Sequence, residues 1–186
     1  MSAIELVNAV LEGEDPKYFF RHGSPVLSPY EAQFMDAYYS AMLWTSTLPP
    51  FGECPHCGAE AVLDRWNEAD EPVCSNCAAR EPDHSPAADE NYSVQDISRE
   101  LKAKSTNDCL SFIRQNSEDL DSVVSIGGYP AMAMAGHDFW LTREGHGVGF
   151  RDRDGWGEEA KNRLHRAARR FGEVSVYVGD NGKIYA

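Results

Sequence analysis

The first apolar rhythm along the chain is helical. Ile4, Leu6, Val7, Val10 and Leu11 place one apolar face on residues 2–12, and a connector rich in turn formers follows. A sharper helix start comes at Ser28, Pro29 and Glu31: a capping serine, a proline at the first helical position, and an acid three residues after the cap. From Pro29 to Trp44 apolar side chains cover most of the circumference, leaving Gln33, Asp36 and Ser40 as a narrow polar stripe. That pattern predicts a helix central in a core or packed against a partner. Ser93 and Asp96 repeat the cap signal. Ile97, Leu101, Cys109, Phe112 and Ile113 then lie near one face, predicting a helix that ends around Asn116, with residues 104–108 as a candidate break.

In the last third the period changes. The stretch DFWLTREGHGVGFRDR alternates apolar and polar residues around Glu-Gly-His-Gly, which predicts a β-hairpin. A helix over 157–171 follows, with Ala160, Leu164, Ala167, Ala168 and Phe171 inward and Gly172 as its stop. EVSVYV and KIYA flank Gly-Asp-Asn-Gly, a second hairpin with strong turn residues. The sum is an α+β fold: helices first, then a small antiparallel sheet of hairpins with one packed helix.

One segment fits neither rhythm. ECPHCGAEAVLDRWNEADEPVCSNC carries Cys54, Cys57, Cys74 and Cys77 as two Cys-x-x-Cys pairs separated by 16 residues. That is the spacing of a zinc ribbon, in which each pair forms a knuckle around the metal. The expectation is one structural Zn²⁺: four thiolates fill a tetrahedron and leave no position for water or substrate. A redox dithiol is the competing reading. His56 lies between two ligands and is expected to be exposed, while Cys109 reads as a core thiol. The segment has only Val62, Leu63, Trp66 and Val73 as its main apolar content, too little for a core of its own. Metal binding can supply on the order of 10 kcal/mol to such a segment. The expected division is therefore a zinc-ribbon insertion at 51–87 within a discontinuous body formed by 1–50 and 88–186.

Charge then narrows the choice of partners. The chain of 186 residues has a net charge of −13. Between Phe51 and Glu90 ten acids face two bases, a net of −8 in that stretch. Such a surface is repelled by phosphate backbones and anionic membranes. Asp64, Trp66, Glu68, Asp70 and Glu71 are the candidates for contact with a protein partner, with Trp66 read either as packing under the metal or as an exposed anchor. Conversely, Lys161, Arg163, Arg166, Arg169 and Arg170 concentrate five of the 17 bases on the 157–171 helix. That face is either solvated or suited to phosphate. With 42% apolar residues a packed core is expected, and no apolar run approaches the roughly 18 residues of a membrane span. The first residues lack a basic region and read as a helix rather than a signal peptide, which places the protein in a reducing cytoplasm.

AGHDFWLTREGHGVGF, FGEVSVYVGDNGKIY and YEAQFMDAYYSAMLWTST with NYSVQDIS together resemble a family of small, uncharacterised proteins of tailed bacteriophages. The resemblance covers roughly Tyr30 to Ala186 apart from the cysteine segment. Members pass almost directly from the first of these helices to the next, which implies that the cysteine segment is an insertion. It further implies a phage origin and action in the cytoplasm of a bacterial host, with no particular activity. Three functions follow as expectations. The first is an accessory protein that binds a host macromolecule, a protein, through its acidic surface. The second is a nucleic-acid-binding zinc-ribbon protein using the 161–170 helix. The third is a small hydrolase or transferase, for which the predicted hairpin would bring His137 and Asp138 near Asp152, with Asp154, Arg143, His146 and Arg151 close by. No glycine-rich phosphate loop precedes a helix: GVGF is read as part of a strand.

Overall fold

The computed structural model describes residues 20–21, 24–25, 27–69, 71–77 and 87–186, so the helix expected over 2–12 lies outside the described residues. The fold is α+β. Five α-helices and ten short strands are described, every strand paired antiparallel with one other.

After a two-residue hairpin of β1 (Phe20–Arg21) and β2 (Ser24–Pro25), the first described helix is α1, Pro29–Thr45. Its start is the expected capping box: the Ser28 side chain accepts from the Glu31 N–H, and the Glu31 carboxylate accepts from the Ser28 N–H at 2.8 Å. Gln33, Asp36 and Ser40 are exposed, while Phe34, Met35, Tyr38, Tyr39, Met42 and Leu43 are buried. Ser93 and Asp96 do form a capping box, but it closes only a single 3₁₀ turn, Val94–Asp96. The helix proper, α2, runs Arg99–Gln115 without a break and is capped by Ser98, whose hydroxyl accepts from the Leu101 N–H. A short helix, α3 (Ser117–Asp121), and a hairpin of β7 (Ser125–Ile126) with β8 (Tyr129–Pro130) follow.

The main correction concerns the predicted hairpin at DFWLTREGHGVGFRDR. Residues Ala131–Glu144 form a helix, α4, and the following residues are loop and turn. The alternation was misleading because α4 is buried on nearly every side: Ala135, Asp138, Phe139, Trp140, Leu141, Thr142 and Arg143 are all inaccessible. A helix buried all round has no polar stripe to set a period of 3.6. Gly145, read as a hairpin turn, is the helix stop. It adopts φ 77° and its N–H bonds the Thr142 carbonyl, while the His146 N–H bonds that of Leu141.

α1 and α4 are the central pair. They touch so closely at Gly136 that a β-carbon there would lie 2.0 Å from the Phe34 carbonyl oxygen. Around them Phe34, Phe112, Phe139, Phe150 and Phe171 make a continuous aromatic cluster, tightest between Phe112 and Phe139 with centroids 4.3 Å apart. Arg143 is buried inside this cluster. It donates to the Gly172 and Phe171 carbonyls, the Tyr38 hydroxyl and the Asp108 carboxylate, so its charge and donors are met from four directions. Helix α5, Glu158–Arg169, covers α4 with Ala160, Leu164 and Ala168, as its apolar stripe predicts. The second hairpin is found but is short: β9 (Tyr177–Val178) pairs with β10 (Ile184–Tyr185). The Ile184 carbonyl accepts from the Ser98 N–H, tying the hairpin to the start of α2. No helix among the described residues is long and apolar enough to cross a membrane.

Candidate metal centre

The cysteine segment leaves the body where α1 ends and returns beside the same point. Thr47 and Ala87 form a β-bridge, and the Ala88 N–H donates to the Ser46 carbonyl at 2.8 Å. Two hairpins are built between these ends. β3 (Phe51–Glu53) pairs with β4 (Glu60–Val62), and β5 (Arg65–Trp66) pairs with β6 (Pro72–Val73). Cys54 and Cys57 occupy the connection of the first hairpin, and Cys74 and Cys77 follow the second.

Each connection is a knuckle. In the first, the Gly58 N–H donates to the Cys54 carbonyl and the Cys54 N–H to the Ala59 carbonyl, both at 2.8 Å. Gly58 holds φ 71°, which a residue without a β-carbon adopts freely. In the second, Ser75–Cys77 is a 3₁₀ turn closed by the Cys77 N–H on the Cys74 carbonyl at 2.9 Å. None of the four cysteines is in a disulfide. Their sulfurs all lie within 4.8 Å of one another, and the Cys57 and Cys74 sulfurs are 3.8 Å apart. A tetrahedron with metal–sulfur bonds of about 2.3 Å has edges of about 3.8 Å, so the four donors fit a single metal ion.

The electrostatics agree. Backbone N–H groups, that of Cys74 foremost, draw the Cys54 thiol down to about 6. The neighbouring thiols, that of Cys57 foremost, push Cys77 up to about 12. Four sulfurs this close repel as thiolates, and a cation at their centre removes that repulsion. Cys54 and Cys74 are buried with Val73, and Ala61, Leu63 and Cys77 complete this small cluster. His56 is exposed, and Cys109 is buried in the body among aromatic residues, away from the cluster.

The acids of the segment differ in setting. Glu53 and Glu60 face each other across β3 and β4, both exposed. Glu68 and Glu71 are exposed, with Glu71 also accepting from the Asn67 side chain at 2.9 Å. Asp64 and Trp66 are half-buried, and among the described residues Oδ1 of Asp64 is shielded without a hydrogen-bond partner. Asp70 lies outside the described residues. The exposed tryptophan is instead Trp44, at the end of α1, which the apolar pattern of that helix had concealed.

The predicted His137, Asp138 and Asp152 group is taken apart by the helix that replaces the hairpin. Asp138 is buried and held on two edges by Arg153, with the shortest contact 2.7 Å. His137 stacks on Trp44 and has Nδ1 3.4 Å from the same guanidinium. Asp152 is exposed in a turn and lines a cleft that neither His137 nor Asp138 touches. Asp138 is thus neutralised within the fold. Sequence reasoning missed Arg153 as its partner because only the helical register brings the two together.

The basic helix is largely committed to its own protein. Arg163 forms a two-pronged pair with Asp119 at 2.7 and 2.9 Å, which holds that carboxyl below its usual range. Lys161 sits 3.7 Å from Asp154. Arg169 donates to the Thr142 and Arg143 carbonyls at the end of α4. Arg166 and Arg170 are exposed. Comparison of the chain with protein families, with curated proteins and with solved structures found no match.

Proposed function

We propose that the four-cysteine centre holds one structural Zn²⁺ and that the protein works by stoichiometric binding of a protein partner through the acidic ribbon. The observation that carries this reading is the four-sulfur cluster itself. It uses every tetrahedral position and is set in the most acidic segment of the chain. Sulfur-only tetrahedral sites suit zinc or iron, and zinc brings no redox chemistry of its own. The closed shell supplies rigidity to two hairpins that share only a small apolar cluster. The neutralised Asp138 and the paired cations of α5 weigh against the hydrolytic and nucleic-acid readings. The resemblance to tailed-phage proteins points to a bacterial host protein as partner. Exposed carboxylates facing a basic groove give fast, salt-sensitive association.

Elemental analysis of protein never exposed to chelator should return one zinc and no iron per chain; a substantially lower zinc content removes the metal assignment. For the partner, capture from host lysate with wild-type protein is compared with a variant in which Asp64, Glu68, Asp70 and Glu71 are changed to lysine. Loss of the captured protein in the variant supports the acidic contact. Unchanged capture, with biological activity lost instead in a folded His137→Ala protein, overturns it in favour of an enzyme.

A further inference from the structure

The four cysteines of the metal centre are not equivalent. Cys54 and Cys74 are buried with Val73, Cys77 is half-buried, and Cys57 is exposed. Cys57 lies in an unbroken run of exposed residues, 55–60. The residue after it is Gly58, and where its β-carbon would stand only a Glu53 carboxylate oxygen comes near, at 3.7 Å. The Cys57 sulfur is 3.8 Å from that of Cys74, which belongs to the other knuckle. An exposed cysteine therefore stands in contact with a sealed one.

Thiolates rather than thiols attack electrophiles, and a metal holds its cysteine ligands deprotonated. With the metal proposed above in place, Cys57 is both reachable and ionised. The surroundings select the reagent. Glu53 and Glu60, opposed across β3 and β4 and both exposed, flank the connection that holds Cys57. The stretch from Phe51 to Glu90 carries a net charge of −8. Such a field turns away anionic reagents, acidic peptide disulfides among them, and leaves a small neutral hydroperoxide unhindered. Cys109, the fifth cysteine, is buried in the aromatic core and out of reach.

We infer that Cys57 is the site at which a small neutral hydroperoxide oxidises the ribbon, with Cys74 as its resolving partner, and that the oxidation ejects the metal. With hydrogen peroxide, a lone pair of the Cys57 sulfur first attacks the O–O bond. An S–O bond forms, the O–O bond breaks, and the departing hydroxide takes a proton and leaves as water. The sulfur has lost two electrons to the peroxide and is a sulfenic acid. The Cys74 sulfur then attacks that of Cys57: an S–S bond forms, the S–O bond breaks, and a second water leaves. The two sulfurs close from 3.8 Å to about 2.05 Å. Two thiolates, one peroxide and two protons thus give one disulfide and two waters. The disulfide withdraws two of the four sulfur ligands and so releases the metal. The ribbon thereby reports peroxide by losing what holds it together. The step depends on the metal proposed above and not on the protein partner.

The test treats the full zinc-bearing chain with one equivalent of hydrogen peroxide and, separately, of oxidised glutathione. Zinc release is read with a chromogenic chelator, and the cysteines by alkylation and fragment mass spectrometry. Cleavage after Arg65 separates the knuckles, so a disulfide between them links two peptides whereas one within a knuckle does not. Expected are a Cys57–Cys74 disulfide, about one zinc released per peroxide consumed, Cys109 still reduced, and little release by oxidised glutathione. Cys57→His leaves three cysteines and a histidine, a set that holds zinc, and should resist peroxide; Cys77→His should release its metal as the wild type does. A disulfide within either knuckle, zinc kept after Cys57 is oxidised, or equal release from the two variants overturns the site. The first two results need no variant to fold. Protein isolated without zinc would remove the metal assignment instead, and the same peptide map would still decide the Cys57–Cys74 bond.

Discussion

The ribbon and the body solve the same problem with different means. The body encloses four phenylalanines, two tryptophans and a four-fold-satisfied arginine in one continuous core. The ribbon encloses Cys54, Val73 and Cys74, with little else around them. Burial of apolar surface grows with the amount of chain available, so on the proposed reading a segment of this size draws its stability from metal–thiolate bonds more than from packing. Each region should therefore fail to a different insult.

The largest effect tests that difference directly. Stripping the proposed metal, by chelation or by Cys74→Ser, should remove on the order of 10 kcal/mol from the ribbon and nothing from the aromatic core. Ribbon amide signals should collapse while the near-ultraviolet circular dichroism of the body persists. Loss of both together would mean the two regions form one cooperative unit. Phe51 is where such coupling would arise, because it packs on the body core and meets Gly182 of the last hairpin. A chain lacking residues 53–86, with Gly52 joined to Ala87 by a short Gly/Ser linker, keeps that contact and should still unfold cooperatively.

The converse insult is Arg143→Met. It leaves Asp108 and the Tyr38 hydroxyl without their buried partner and should cost the body about 3–5 kcal/mol in urea unfolding, with the metal content unchanged. A smaller step is Ser28→Ala. Removing the cap of α1 should lower stability by about 1 kcal/mol, and Ser28→Thr should restore most of it.

The smallest effect is one of pH. Asp96, bonded by Ser93 and Lys183, and Asp119, bonded by Arg163, are both held below the ordinary carboxylate range. A carboxyl depressed in the folded state stabilises it fully above its unfolded pKa of about 4. That contribution fades as pH falls through the folded value. Urea midpoints measured downward from neutral pH should decline more shallowly for Asp119→Asn than for wild type. Identical slopes would show the Arg163 pair to be energetically silent, as exposed pairs can be.

The same comparison explains what was legible beforehand. The ribbon could be read because its ligands are fixed by covalent spacing: two residues between cysteines admit a knuckle whatever surrounds them. α1 was readable from a local cap at Ser28, Pro29 and Glu31, and α5 from a stripe with a solvated opposite face. α4 was not, because burial on all sides erases periodicity and leaves an accidental alternation. The capping box at Ser93 was chemically real but opened a single turn, and the helix itself starts only at Arg99. The β7–β8 hairpin left a signal in Gly127 and Gly128, both at positive φ, that was there to be used. Contacts such as Asp138 with Arg153 depend on where a loop returns, which no local pattern specifies.

The bridge between Thr47 and Ala87 has one more consequence. Paired residues of an antiparallel bridge sit about 5 Å apart, so the ribbon enters and leaves the body through a single narrow neck. At such a neck, with Phe51 kept in place, the body is little affected by how much chain lies beyond, because loop closure is already made at the base. On that geometry the neck would serve as an interchangeable socket. A different metal module, an affinity tag or a fluorescent domain with closely spaced ends could be seated between Gly52 and Ala87.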